Sequence, residues 1–183
     1  MGDPGVALSH ALLCVTSLGC ALRARQVTGG PAAGFLLQAL VAASDALSPP
    51  SPASVPNVPE PPPGSWICSV LAQPLVAFGC HRLSGDGATA NLLLATGAAV
   101  AAVAAGWPAG GRGPPGHFVT ALTSGSVLAL AALTGSVTGA VAAALVALGD
   151  AVAPWGVPWV RVAASVALLG TLREQGRALR GHQ

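Results

Sequence analysis

The sequence predicts an all-α fold, a polytopic bundle of transmembrane helices, and three observations predict it. Charged residues make up only 8% of the 183, against roughly 25% in an ordinary soluble domain. Hydrophobic residues make up 52% and the mean hydropathy is +0.67. In water, such a chain would leave large apolar patches uncovered. The apolar residues also fall in blocks separated by glycine, proline and arginine, and a hydrocarbon core of about 30 Å needs roughly 17–25 helical residues.

The first span is expected at 5–22. The MGDPG before it carries an aspartate and no basic residue, so the positive region of a cleaved signal is missing and the helix should be retained. The second span is 29–47. Residues 48–64 hold eight prolines, a density that favours an extended, polyproline-like loop. The third span, 66–80, is short and should kink at Pro74. The fourth is 88–107.

The stretch 118–149 has no charge. As one helix it would be about 48 Å long at 1.5 Å per residue, well beyond the hydrocarbon. Two spans, 118–133 and 135–152, with a tight turn at Thr134–Ser136, fit better. The last span is 157–172, before a polar tail at 173–183. The total is seven spans, with six as the alternative.

Arginine placement favours seven. Arg23 and Arg25 follow the first span, Arg82 follows the third, and Arg173, Arg177 and Arg180 follow the last, while Arg112, in the fourth loop, counts the other way. The positive-inside rule then sets the N-terminus outside and the C-terminus in the cytosol, which requires an odd number of spans. An internal repeat agrees. Gly30–Pro49 aligns with Gly135–Pro154 without a gap, both reading G-x3-G-x4-ALVA-x2-DA-x2-P, with nine of twenty positions identical. Trp66 with Gly79–Arg82 brackets the third span, as Trp159 with Gly170–Arg173 brackets the last. The expected plan is three helices, a linker helix and three more, in parallel repeat.

Candidate sites follow from the few polar groups. Asp45 and Asp150 occupy equivalent places in the last turn of their helices, at the outer headgroups. They are read mainly as markers of a helix end, with an acidic cation or proton site as the sharper alternative. Arg161 lies four residues inside the last span, where arginine needs a partner. An Asp150–Arg161 pair at the outer interface would satisfy both charges. Gln73, Asn91, Thr96, Thr123 and Ser124 are read as hydrogen-bonding glue between helices. The GxxxG pairs Gly30/Gly34 and Gly135/Gly139 should let the second and sixth helices approach closely, with homodimerisation as the rival use. Trp66, Trp107, Trp155 and Trp159 sit at helix ends as interface anchors. Cys14, Cys20, Cys68 and Cys80 are expected to be buried packers. Cys20 and Cys80, each followed closely by an arginine, are also candidates for palmitoylation.

The same residues exclude classes of function. The arginines are dispersed, with no footprint for nucleic acid. No CxxC pair or Cys/His spacing suits a metal. No GxSxG, HExxH or phosphate loop is present, so neither a catalytic site nor a cofactor is expected. The expected partners are the lipid bilayer and another membrane protein or a second copy.

Its short Ala/Leu/Gly helices, such as ATGAAVAAVAAG, and its arginine tail make the chain resemble the small, uncharacterised multi-pass transmembrane proteins of vertebrates. The three-one-three plan is similar to that of SWEET-type sugar transporters, although AQPL at 72–75 places Gln before Pro and no transport-site residue matches. The two acids are similar to the helix-borne aspartates of lysoplasmalogenase-type membrane hydrolases, which have more spans. The expected function is structural or interactive, in a thin internal membrane such as the ER or Golgi. A small solute transporter comes second and an intramembrane lipid hydrolase third.

Overall fold

The computed structural model describes residues 4–47, 66, 68–104, 113–152 and 158–181. Among these, the helices are α1 (Pro4–Ala24), α2 (Gly29–Leu47), a π-helical turn at Cys68–Ala72 running into α3 (Gln73–Leu83), α4 (Gly87–Ala104), α5 (Gly113–Thr134), α6 (Val137–Ala151) and α7 (Pro158–Gly181). The described part is an all-α bundle of seven helices. Three of them, α1, α2 and α5, are long and apolar enough to cross a membrane, and α4 and α6 are shorter apolar helices. The Pro-rich loop at 48–64 lies outside the described residues. The polar tail continues α7 as helix to Gly181.

Local chemistry explains the breaks. Pro74 has no N–H and its ring crowds the carbonyl of Val70, four residues back. The chain therefore widens into a π turn just before it. The Val70 carbonyl points at α4, where Gly97 leaves room; a Cβ there would lie 2.6 Å from that oxygen. Asp86 starts α4 by accepting the Thr89 N–H at 3.0 Å, an N-cap. The uncharged run splits at Gly135, which takes φ +66°, a conformation glycine adopts cheaply. Ser136 then caps α6 by accepting the Gly139 N–H at 3.1 Å.

Packing follows a pattern. Helix α1 packs on α2 and α2 on α3; α5 packs on α6 and α6 on α7. Between these triplets, α1 packs on α7, α3 on α5, and α3 on α7. Exchanging α1 with α5, α2 with α6 and α3 with α7 maps this set of pairs onto itself. Helix α4 bridges, packing on α3 and α5. The main core joins Cys20, Ala24, Phe35, Cys80, Val146 and Leu172, drawn from five helices. Outward-facing Leu8, Val15, Leu22, Leu40 and Leu133 are exposed, as lipid contact requires.

Two expectations about the glycines are corrected. Helices α2 and α6 are not among the extensively packed pairs. Gly30 and Gly34 instead admit α3: a Cβ on Gly30 would meet the Phe78 ring at 2.9 Å, and one on Gly34 the Ala72 carbonyl oxygen at 2.7 Å. Gly135 belongs to the turn and has no neighbour within 4 Å of its would-be Cβ, so it packs nothing. Only Gly139 of that pair makes close contact, facing Ala131 on α5 at 2.9 Å and Thr171 on α7 at 3.4 Å.

Candidate functional site

The sequence TALTS places Thr120, Thr123 and Ser124 three and four residues apart, on one face of α5. That helix packs against α3 and α6. A cavity of about 10 Å³ lies among α3, α5, α6 and α7, lined by Gln73, Thr123 and Ser124 and by Ala77, Val127 and Val146. Gln73 Oε1 and Thr123 Oγ1 are buried and reach no hydrogen-bond partner among the described residues, and neither does Thr120 Oγ1 one turn away. The Ser124 hydroxyl donates to the Thr120 carbonyl at 2.8 Å. A buried polar atom left unsatisfied costs about 1–3 kcal/mol. The cavity has room for about one water molecule. No charged side chain lines it.

A second polar seam joins α1, α2 and α7. The Gln38 amide donates to the Ser165 hydroxyl at 3.0 Å. That hydroxyl donates in turn to the Arg161 carbonyl at 2.8 Å. The Cys20 thiol donates to the Ser165 carbonyl at 3.8 Å. Ser17 is fully buried, and its hydroxyl has no partner among the described residues.

At one rim, Asp150 is held by His117 Nδ1 at 2.6 Å. The expected Asp150–Arg161 pair does not form among the described residues. Arg161 instead lays its stem beside Gly149, whose would-be Cβ would be 3.5 Å from Arg161 Cγ. Its charge acts, with that of His10, on Asp45. Asp150 is instead taken by His117 at the start of α5. At the opposite rim, Glu174 on α7 accepts hydrogen bonds from Thr138 and Ser136. These bonds, Thr138's first, hold its carboxyl below the usual glutamate range, helped by Arg177.

The remaining sequence candidates divide. Cys20 and Cys80 are 4% and 0% exposed and sit in the main core. Trp66 is half-buried and Trp159 is exposed; Trp107 and Trp155 lie outside the described residues. No group of three or more His, Cys, Asp or Glu fit to hold a metal occurs among the described residues.

One signal would have found more of this. HALLCVTS, His10–Ser17, and HFVTALTS, His117–Ser124, share H-x5-T-S at an offset of 107 residues. Asp45 and Asp150 are related by an offset of 105. The two offsets differ by two, the extra length of the link between α1 and α2 over that between α5 and α6, so a repeat that covers α1 and α5 would pair Ser17 with Ser124. Three polar identities among small apolar residues are easily overlooked, because their helices differ in every other position of the stretch.

Comparison with known proteins gives the relationship. The Bos taurus protein named Transmembrane protein 276 is 36% identical over 133 residues, covering 73% of this chain and 66% of the relative. The Homo sapiens protein of that name is 35% identical over 133 residues, covering 73% and 67%, and the Rattus norvegicus protein is 33% identical over 143 residues, covering 73% and 67%. The chain spans about two thirds of the length of these relatives. No family model matches it, and no solved structure does. The resemblance to small vertebrate transmembrane proteins is borne out, and with it the membrane location: the chain belongs to the Transmembrane protein 276 family of vertebrate membrane proteins.

Proposed function

We propose that the chain transports a small polar solute through the interface between two three-helix repeats. The carrying observation is the contact of α3 with the second triplet, where Gln73 and Thr123 border a small cavity and each carries a buried polar atom that no described residue satisfies. A purely structural or interacting role would gain nothing from leaving these groups unpaired in the bundle, where apolar side chains would be more stable. The site also lies where tandem-repeat transporters bind, at the repeat interface beside an interrupted helix; here the interruption is the π turn and Pro74. The symmetric set of packed pairs supports the repeat.

The orientation belongs to the same reading. Arg23, Arg82 and Arg173 stand within two residues of Ala24, Cys80 and Leu172, which share one core. We place that end in the cytosol by the positive-inside rule, and the protein in an internal membrane. A glycan acceptor added to the C-terminal tail should stay unmodified; its glycosylation would reverse the orientation.

Reconstituted liposomes test the transport. Efflux of small polar solutes should exceed that of protein-free vesicles and be lost in Gln73→Leu. Absence of flux, with co-purification of one stoichiometric membrane-protein partner, would replace this reading with the interaction role.

A further inference from the structure

We propose that the arginines at the shared end of α1 and α7 form a binding surface for the phosphate-bearing headgroups of anionic lipids. Such a surface would serve a transporter and a structural protein alike. The arginines are scattered in sequence, but the fold gathers Arg23 and Arg25 on α1 with Arg173 and Arg177 on α7. Helix α1 packs on α7. Arg173 lies close enough for its charge to act on Cys20, one turn before Arg23. Just past Arg25, Val27 packs against α7, with its Cγ1 3.3 Å from the would-be Cβ of Gly176.

The α7 arginines face away from the bundle. Arg173 and Arg177 are four residues apart and share one face. Thr171, Leu172 and Gln175 are buried and mark the opposite one. Arg23, Arg25 and Arg177 are exposed, and Arg173 is half-buried. The same spacing continues in sequence to Arg180. Helix α7 runs on to Gly181, about 14 Å past its expected span at 1.5 Å per residue. The arginine face therefore rises through the headgroup layer, which adds only about 5–8 Å on each side of the hydrocarbon.

The charges of this surface are free for a ligand. Among the described residues, both ion pairs join a histidine to an aspartate, and none involves an arginine. The nearby acids have other partners: Glu174 accepts from Thr138 and Ser136, and Asp86 accepts the Thr89 N–H. Arg177 acts on Glu174 without bonding to it. The chain has no lysine, and the planar guanidinium can hold two phosphate oxygens at once. Arginines just beyond a transmembrane helix are drawn to anionic headgroups.

Native mass spectrometry of the full chain in detergent, with a phosphatidylinositol phosphate or phosphatidylcholine added, is the test. The anionic lipid should stay bound where phosphatidylcholine does not. Arg173→Gln with Arg177→Gln should weaken its binding by about 25-fold, on the scale of about fivefold for each arginine. Arg23→Gln with Arg25→Gln should weaken it to a similar degree, and stands in should the α7 variant fail to fold. Arg82→Gln is the control, because Arg82 turns its Nη1 to Gly87, 3.2 Å from the would-be Cβ there. Its binding should match the wild type; a loss equal to that of the double variants would reduce the surface to net charge and overturn it. Undiminished binding in both double variants, or equal retention of phosphatidylcholine, would overturn it too. Inorganic phosphate binding as tightly as the lipid would overturn the lipid as the occupant.

Discussion

The contacts of α2 with α3 and of α6 with α7 occupy corresponding places in the two triplets, yet different forces hold them. On the first, Gly30, Gly34 and Gly79 let two backbones meet, with Pro31 seated against Gly79. On the second, Gly139 still admits Thr171, but the end of the contact is tied by Ser136 and Thr138 to Glu174. Lipid tails are as apolar as leucine, so burial from water does not drive helices together inside a bilayer. Close backbone packing and interhelical hydrogen bonds remain, and the two halves weight these differently.

Breaking the glycine contact should have the largest effect. A Cβ at Gly79 would overlap the Pro31 ring, and one at Gly34 would lie 2.7 Å from a backbone oxygen and 2.8 Å from Val76. Neither a proline ring nor a backbone carbonyl swings aside. Gly79→Leu should therefore cost about 3 kcal/mol or more, at the upper end for overpacking, and appear as a large fall in the thermal midpoint in detergent. Gly125, with nothing within 4 Å of its would-be Cβ, is the control. Gly125→Ala should leave the midpoint unchanged or raise it, since alanine favours helix by about 0.8–1 kcal/mol. Equal falls in both would mean that close approach is not what holds α2 to α3.

The polar tie should break more gently. Ser136→Ala removes a helix cap, typically worth about 1 kcal/mol, together with a bond to Glu174. The Glu174 contribution also depends on pH. Its folded pKa lies below the ordinary glutamate value. The stabilisation is therefore fully present above the unfolded value and is lost as pH falls through the folded one. In thermal melts at falling pH, the wild type should lose an increment of stability at the acid end that Glu174→Gln lacks. Parallel acid curves for the two proteins would remove the carboxylate from this contact.

These contacts also show what the sequence made legible. Helix existence was plain, because apolar blocks bounded by glycine and proline carry it directly. The split of the uncharged run was legible at Gly135 and Ser136, through length and through the echo of Asp45 in Asp150. Partners were less so. A GxxxG pair says that something approaches closely, but not which helix. Thus Gly30 and Gly34 meet α3 rather than α6, and Gly135 serves a turn. The cavity was hidden for a similar reason: Gln73 and Thr123 lie on different helices, and lone polar residues in an apolar span look like packing glue until their neighbours are known.

A smaller effect separates the two acids. Asp150 has His117 at 2.6 Å, whereas Asp45 has no such bond among the described residues and feels His10 and Arg161 from farther off. The His117 side chain is 62% exposed, and exposed pairs are worth about 0.2–1 kcal/mol. A double-mutant cycle on His117→Ala and Asp150→Asn should give coupling of about 0.5 kcal/mol. The same cycle on Asp150 and Arg161 should give none. Coupling found only in the second cycle would restore the pairing that the spacing alone had favoured.

The smallest expected effect has the opposite sign. Thr123→Val keeps the volume of the side chain and removes a buried hydroxyl that has no partner among the described residues. Removing an unsatisfied donor usually leaves stability unchanged or raises it. The thermal midpoint should therefore hold or rise slightly, by about 0.5 kcal/mol or less in stability. Ser124→Ala is the contrast, because its hydroxyl is already bonded to Thr120 and its loss removes a made bond. If Thr123→Val destabilises as much as Gly79→Leu does, Thr123 is packing in the ordinary sense. A stable Thr123→Val protein that has lost flux would place the cost of the cavity where a functional site puts it, in folding stability given up for binding.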